Sequence, residues 1–119
     1  MKREEWAGRI RAACIDAGTY RPFFESVIDT LAQLMETRDA AQEKYNLSGG
    51  DPVVLHTNKA GATNVVKNPA LMVIMDCQAQ ALAYWRDLGL TPAGLKKIDE
   101  KAIKAPKKSA LAEALKDLG

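Results

Sequence analysis

A mainly α fold is what this 119-residue sequence predicts: an antiparallel helical hairpin core of two long helices joined by a small β-hairpin, with short N- and C-terminal helices. Three observations carry that expectation. Apolar residues recur at spacings of three and four over residues 23–45 and again over residues 69–88, the period of an amphipathic helix. Between these stretches, two β-branched runs flank a Gly-containing turn. Helix punctuation stands at Asn68-Pro69 and at Leu88-Gly89-Leu90-Thr91-Pro92.

In chain order, residues 3–17 fit a helix with Trp6, Ile10, Ala13, Cys14 and Ala17 on one stripe, closed by Gly18. Thr19-Tyr20-Arg21-Pro22 breaks and restarts the chain, with Pro22 tolerated in a first turn. The strongest helix then carries Phe24, Val27, Ile28, Leu31, Leu34 and Met35 at helical spacing. Glu25 and Asp29 near its start and Lys44 near its end match the helix dipole. Ser48-Gly49-Gly50-Asp51-Pro52 is a turn cluster. Val53–Thr57 and residues 62–66 read as strands around the turn Asn58-Lys59-Ala60-Gly61. An isolated hairpin is marginal in water, so its apolar face needs a helix or a second subunit to rest on.

Asn68 is a good N-cap and Pro69 suits the first helical position. The helix they open places Leu71, Ile74, Met75, Gln78, Leu82, Trp85 and Leu88 on one side. Gly89 supplies the left-handed residue that ends it, and Thr91-Pro92 starts another helix reaching about Lys97. Ala105-Pro106 breaks the chain once more. A last segment, residues 109–118, carries Leu111, Leu115 and Leu118 as a narrow stripe. Residues 1–98 are expected to form a single helical domain, and residues 99–119 a basic, partly flexible tail.

Composition excludes several classes. No apolar run approaches the 18 residues of a membrane span. The start, Met1-Lys2-Arg3-Glu4-Glu5-Trp6, lacks the apolar centre of a signal peptide, so a cytoplasmic protein is expected. Cys14 and Cys77 stand apart in apolar helical patterns and read as reduced, buried thiols; with one histidine they form no zinc motif. There is no phosphate-cradling loop. His56 has no nucleophile placed to use it, and Asp51 and Asp76 belong to different elements. No cofactor, metal or catalytic residue is expected, and the chain reads as a non-enzyme.

Net charge is +2, too little to announce nucleic acid, but its distribution is uneven. Residues 1–21 carry net +2, residues 22–46 net −3, residues 47–88 zero and residues 89–119 net +3. The candidate DNA contacts are therefore Lys96, Lys97, Lys101 and Lys104 at one end and Arg9 and Arg11 at the other. Lysines act as point charges toward phosphates and read no bases, which implies weakly sequence-dependent contact. A helix-turn-helix drawn from residues 3–17 and 22–45 would have a long, acidic second helix, unlike one built for a major groove. Leu111, Leu115 and Leu118 form a stripe that either folds back on the chain's own core or is the candidate partner-binding surface, ordering on docking.

The joint pattern of Asn68-Pro69-Ala70-Leu71 and, one helix later, Leu88-Gly89-Leu90-Thr91-Pro92 resembles the small subunit of bacteriophage terminase. The likeness reaches back through Ala17-Gly18-Thr19-Tyr20 and covers roughly residues 17–98. Asn68, Pro69, Leu71, Leu90, Thr91 and Pro92 match the family pattern, in structural roles. The resemblance implies a non-catalytic component of the genome-packaging motor in the host cytoplasm. It would recognise viral double-stranded DNA, assemble as a ring-shaped homo-oligomer built on residues 22–88, and act with the large terminase subunit, the ATPase and nuclease. The chain departs from many relatives in lacking a distinct N-terminal DNA-binding domain. A small helical DNA-binding transcription regulator and a structural head-assembly adaptor are the alternatives from other classes.

Overall fold

A computed structural model of the chain describes residues 1–99. Helix α1 spans Arg3–Ala17, α2 Glu25–Leu47 and α3 Pro69–Asp87, with strands β1, Val53–Thr57, and β2, Thr63–Lys67, between α2 and α3. Residues 92–99 are again helical. This is the mainly α architecture expected, with a two-stranded antiparallel sheet between the long helices.

The punctuation works as its chemistry predicts. Gly18 at φ 72° ends α1, and the Thr19 amide folds back to the Cys14 carbonyl at 2.9 Å. Asn68 caps α3: its Oδ1 accepts the Ala70 amide at 3.0 Å. Gly89 at φ 74° lets the Leu90 amide reach the Trp85 carbonyl at 2.9 Å. Thr91 Oγ1 then accepts the Gly94 amide at 3.1 Å and opens the next helix. Two boundaries differ from the sequence reading. Pro22–Phe24 form a separate 3-10 turn, so α2 begins only at Glu25. The hairpin loop takes in Ala62: Asn58 donates its amide to the Ala62 carbonyl, while its Oδ1 accepts the Ala60 and Ala62 amides. Asn58 thus organises a five-residue loop from inside, an Asx turn that the four-residue reading leaves out.

Helix α2 is the spine. Arg11 meets Glu25 while Trp6 meets Asp39, so α1 runs antiparallel to α2 over its first two-thirds. Helix α3 packs antiparallel on α2, its start beside Thr37 and Lys44 and its Tyr84 beside Thr30 and Leu34, the arrangement expected of two long helices joined by a hairpin. The core gathers Ile10, Cys14, Ile28, Leu31, Ala32, Met35, Ala81 and Leu88, with Trp6, Phe24, Val27, Tyr84 and Trp85 packed against it. Burying each large member contributes about 1.5–3 kcal/mol. Cys14 and Cys77 are separate, buried free thiols.

That core lies where all three helices overlap. Beyond it, the last turns of α2, the hairpin and the first half of α3 form an arm that α1 does not cover. In this arm the expected apolar stripe of α3 needs correction. The side facing α2 carries Ile74, Cys77 and Ala81, all buried, whereas Met75, Gln78 and Leu82 are exposed. Helix α3 carries apolar residues around most of its circumference, so an apolar seam could be drawn on more than one side. The choice between seams was made by where α2 lies.

Candidate nucleic-acid and assembly interfaces

The N-terminal ammonium, Arg3 and Arg11 are drawn toward the acidic α2. The Arg3 amide donates to Glu36 Oε2 at 2.6 Å, and the Trp6 indole N–H donates to Asp39 Oδ2 at 2.7 Å. The chain's N-terminal ammonium lies 3.4 Å from the same Asp39. Lys2, the residue before α1, provides no side-chain cap, so these carboxylates of α2 serve the positive end of the α1 dipole. The Arg3 guanidinium also approaches Asp29 at 3.6 Å.

Arg11 goes further. Its Nε and Nη2 both donate to the Glu25 carboxylate, at 2.7 and 2.8 Å, and the Tyr20 hydroxyl donates to the same carboxylate at 2.6 Å. The bidentate guanidinium and the tyrosine together pull the Glu25 carboxyl down to about 2. Arg11 is therefore occupied in joining α1 to α2, and a phosphate would have to compete with Glu25 for it. Arg9 is exposed on α1.

Lys96 and Lys97 are exposed on the helical stretch 92–99, at the same end of the bundle as Thr19 and Tyr20. The position of that stretch is set by close approaches. A Cβ on Gly94 would run into the Arg86 carbonyl, and one on Gly89 would meet Thr19 and Ile98. Buried Thr19 thus links the end of α1 to the Leu88–Thr91 turn. Arg9 stands about 14 Å along α1 from Gly18, at 1.5 Å per residue, so about two and a half turns of α1 separate it from the end on which the lysine stretch rests. Lys101 and Lys104 lie outside the described residues, as do Leu111, Leu115 and Leu118.

Asn68 does more than cap. It is buried, its Nδ2 donates to Ser48 Oγ at 3.2 Å and to the Asp51 carbonyl at 3.0 Å, and its own amide donates to the Pro52 carbonyl at 2.8 Å. One side chain therefore joins the end of α2, the entry to the hairpin and the start of α3. The N-cap signal was legible in the sequence. The cross-link was not, because it needs partners 17 and 20 residues away.

What the hairpin presents is an apolar face without a partner among the described residues. The register pairs Leu55 with Val65 and Val53 with Lys67, so Val53, Leu55 and Val65 share one face. Leu55 is 74% and Val65 66% exposed. The face continues onto α3, where Val53, Lys67, Leu71, Met72, Met75 and Asp76 line a groove of about 380 Å³. On another flank of α3, Thr37, Ala40, Ala41, Lys44, Pro69, Ala70 and Val73 line a second groove of about 350 Å³ between α2 and α3. Of twelve large apolar side chains exposed among the described residues, nine lie from Leu47 to Leu82. Scattered exposed leucines are ordinary, but this concentration in one arm marks a contact surface. The near-continuous apolar character of residues 70–75 was the signal in the sequence that could have found it.

Among the described residues no group of His, Cys, Asp and Glu is set to hold a metal ion, and no helix is long and apolar enough to cross a membrane. Comparison with known families places residues 3–105 within the family described as "Phage terminase, small subunit". No curated protein and no solved structure matches the chain.

Proposed function

The chain belongs to the phage terminase small-subunit family, and from that premise we propose that it is the non-catalytic, DNA-recognising and regulatory component of a packaging motor. It acts in the host cytoplasm with the large terminase subunit on viral double-stranded DNA, as a ring-shaped homo-oligomer. The observation that carries the reading is the family match over most of the chain. The exposed apolar arm supports the oligomer, since a chain of this size gains stability by covering such a surface with a neighbour. The exposed Lys96 and Lys97 support an electrostatic DNA contact. On this reading residues 1–98 assemble and handle DNA. Residues 99–119 are a basic tail whose Leu111, Leu115 and Leu118 contact the large subunit.

Reconstitution tests the proposal. The full-length chain should sediment as a large homo-oligomer at micromolar concentration and physiological salt, retain duplex DNA, and stimulate the ATPase of the large subunit from the same phage. Deleting residues 107–119 should leave assembly intact and lower that stimulation. A monomeric mass would sink the ring. An operator-specific dimer would instead identify a transcription regulator, and assembly without DNA retention a head adaptor.

A further inference from the structure

We infer that the ring contact joins two different surfaces of the chain: the hairpin-and-α3 face of one copy seats in the α2–α3 groove of the next. The inference rests on the homo-oligomer proposed above and specifies its interface.

Four observations converge on it. First, the two surfaces point apart. Met75 follows Val73 by two residues, about 200° around the helix axis at 3.6 residues per turn, and each lines a different groove. A surface of this kind cannot be covered by one neighbour on one side. Second, the shapes differ. On the first, the hairpin projects beside its own groove, with Leu55 74% and Val65 66% exposed. The second is recessed and floored by small groups, Ala40, Ala41 and Ala70, which leave room for larger side chains to enter. Third, both surfaces are edged by a charge of each sign, Asp76 and Lys67 on the first, Lys44 and the nearby Glu43 on the second, so a docking that sets opposite charges together is available. Fourth, the hairpin is held rigidly enough to serve as an inserted element, because Asn68 ties its base to both long helices.

A projecting face meeting itself would give a closed dimer with two-fold symmetry and leave the groove empty. A face meeting a groove is head-to-tail, and repeats until the rotation closes a ring. The occupant is therefore a second copy of this chain.

Complementation between two blocked variants of the full chain decides it. Leu55→Glu/Met75→Glu blocks the projecting face, and Ala40→Arg/Val73→Glu blocks the groove. All four positions are exposed, and far-UV circular dichroism with a thermal melt checks that both variants fold. Leu82→Glu replaces the first pair, or Ala40→Arg alone the second, if either melts early. Wild type should sediment as the large oligomer and each variant alone as a monomer. The equimolar mixture should give a species of twice the monomer mass and nothing larger, since one good face meets one good groove.

A groove variant that dimerises alone, with no gain on mixing, would show the face meeting itself and overturn the inference while leaving oligomerisation standing. Variants that keep the wild-type mass would overturn it in the same way. A monomeric wild type would remove the oligomer reading as well. If such a monomer assembled only after deletion of residues 107–119, the chain's own end would be the occupant, and the inference would again fail.

Discussion

At the scale of single residues, Glu25 and Asn68 carry consequences that can be measured. The Glu25 carboxyl titrates at about 2 when folded, against an ordinary value of 4.5. A depressed carboxyl pKa contributes stability that is present above the unfolded pKa and lost as pH falls through the folded one. Stability should therefore decline between pH 4.5 and pH 2 as the Arg11–Glu25–Tyr20 cluster is protonated. Glu25→Gln should make unfolding less dependent on pH across that window, and urea titrations at several pH values would show it. A slope identical to wild type would mean that the Glu25 pKa does not differ between the folded and unfolded chain. For Asn68, Ala should cost about 2 kcal/mol in urea unfolding, from the lost cap and the Asp51 carbonyl left without its donor. Asp keeps the cap oxygen but loses the Nδ2 donors, so Asn68→Asp should fall between the two. If Asp and Ala were equal, the cap would be worth nothing here.

Two glycines separate helix propensity from packing at the scale of elements. Gly8 lies within α1 with nothing within 4 Å of a Cβ placed on it. Gly8→Ala should stabilise the fold by about 0.5–1 kcal/mol, because alanine loses less conformational freedom in a helix. Gly94 is also helical, yet a Cβ there would collide with the Arg86 carbonyl. Gly94→Ala should cost about 1–3 kcal/mol, since the stretch 92–99 must lift away from the end of α3. Thermal unfolding of the two variants should shift in opposite directions. A rise for Gly94→Ala would mean that this stretch does not rest on α3. The same contrast applies to α3 as an element: its start, its end and its left-handed stop depend on neighbours in sequence, while the choice of its buried side depends on α2.

For the whole molecule, the internal pairing of α1 with α2 redistributes the charge seen from outside. Arg3 and Arg11 are each set against a carboxylate of α2, so the basic N-terminal end of the sequence is a nearly neutral seam in the fold. Lys96 and Lys97 remain exposed, and we propose them, with Lys101 and Lys104, as the DNA contact. With roughly four to six phosphates neutralised, DNA affinity should fall with salt at a log–log slope of about −4 to −5. Replacing Lys96, Lys97, Lys101 and Lys104 by Gln should flatten that slope in fluorescence titrations. An unchanged slope would move the contact to the Arg9 side. Much of this molecule was legible in its sequence: the three helices, the hairpin, the Asn68 cap, the Gly89 stop and the Thr91 restart. These are decided by hydrogen bonds within a few residues and by backbone angles that only certain residues adopt. Tertiary structure alone decided that Arg11 is held by Glu25, that Asn68 ties the hairpin to α2, and that Met75 and Leu82 face outward while Cys77 and Ala81 face in. A side chain's partner or exposure is set by elements distant in sequence, and on a helix apolar over most of its surface the pattern leaves that choice open.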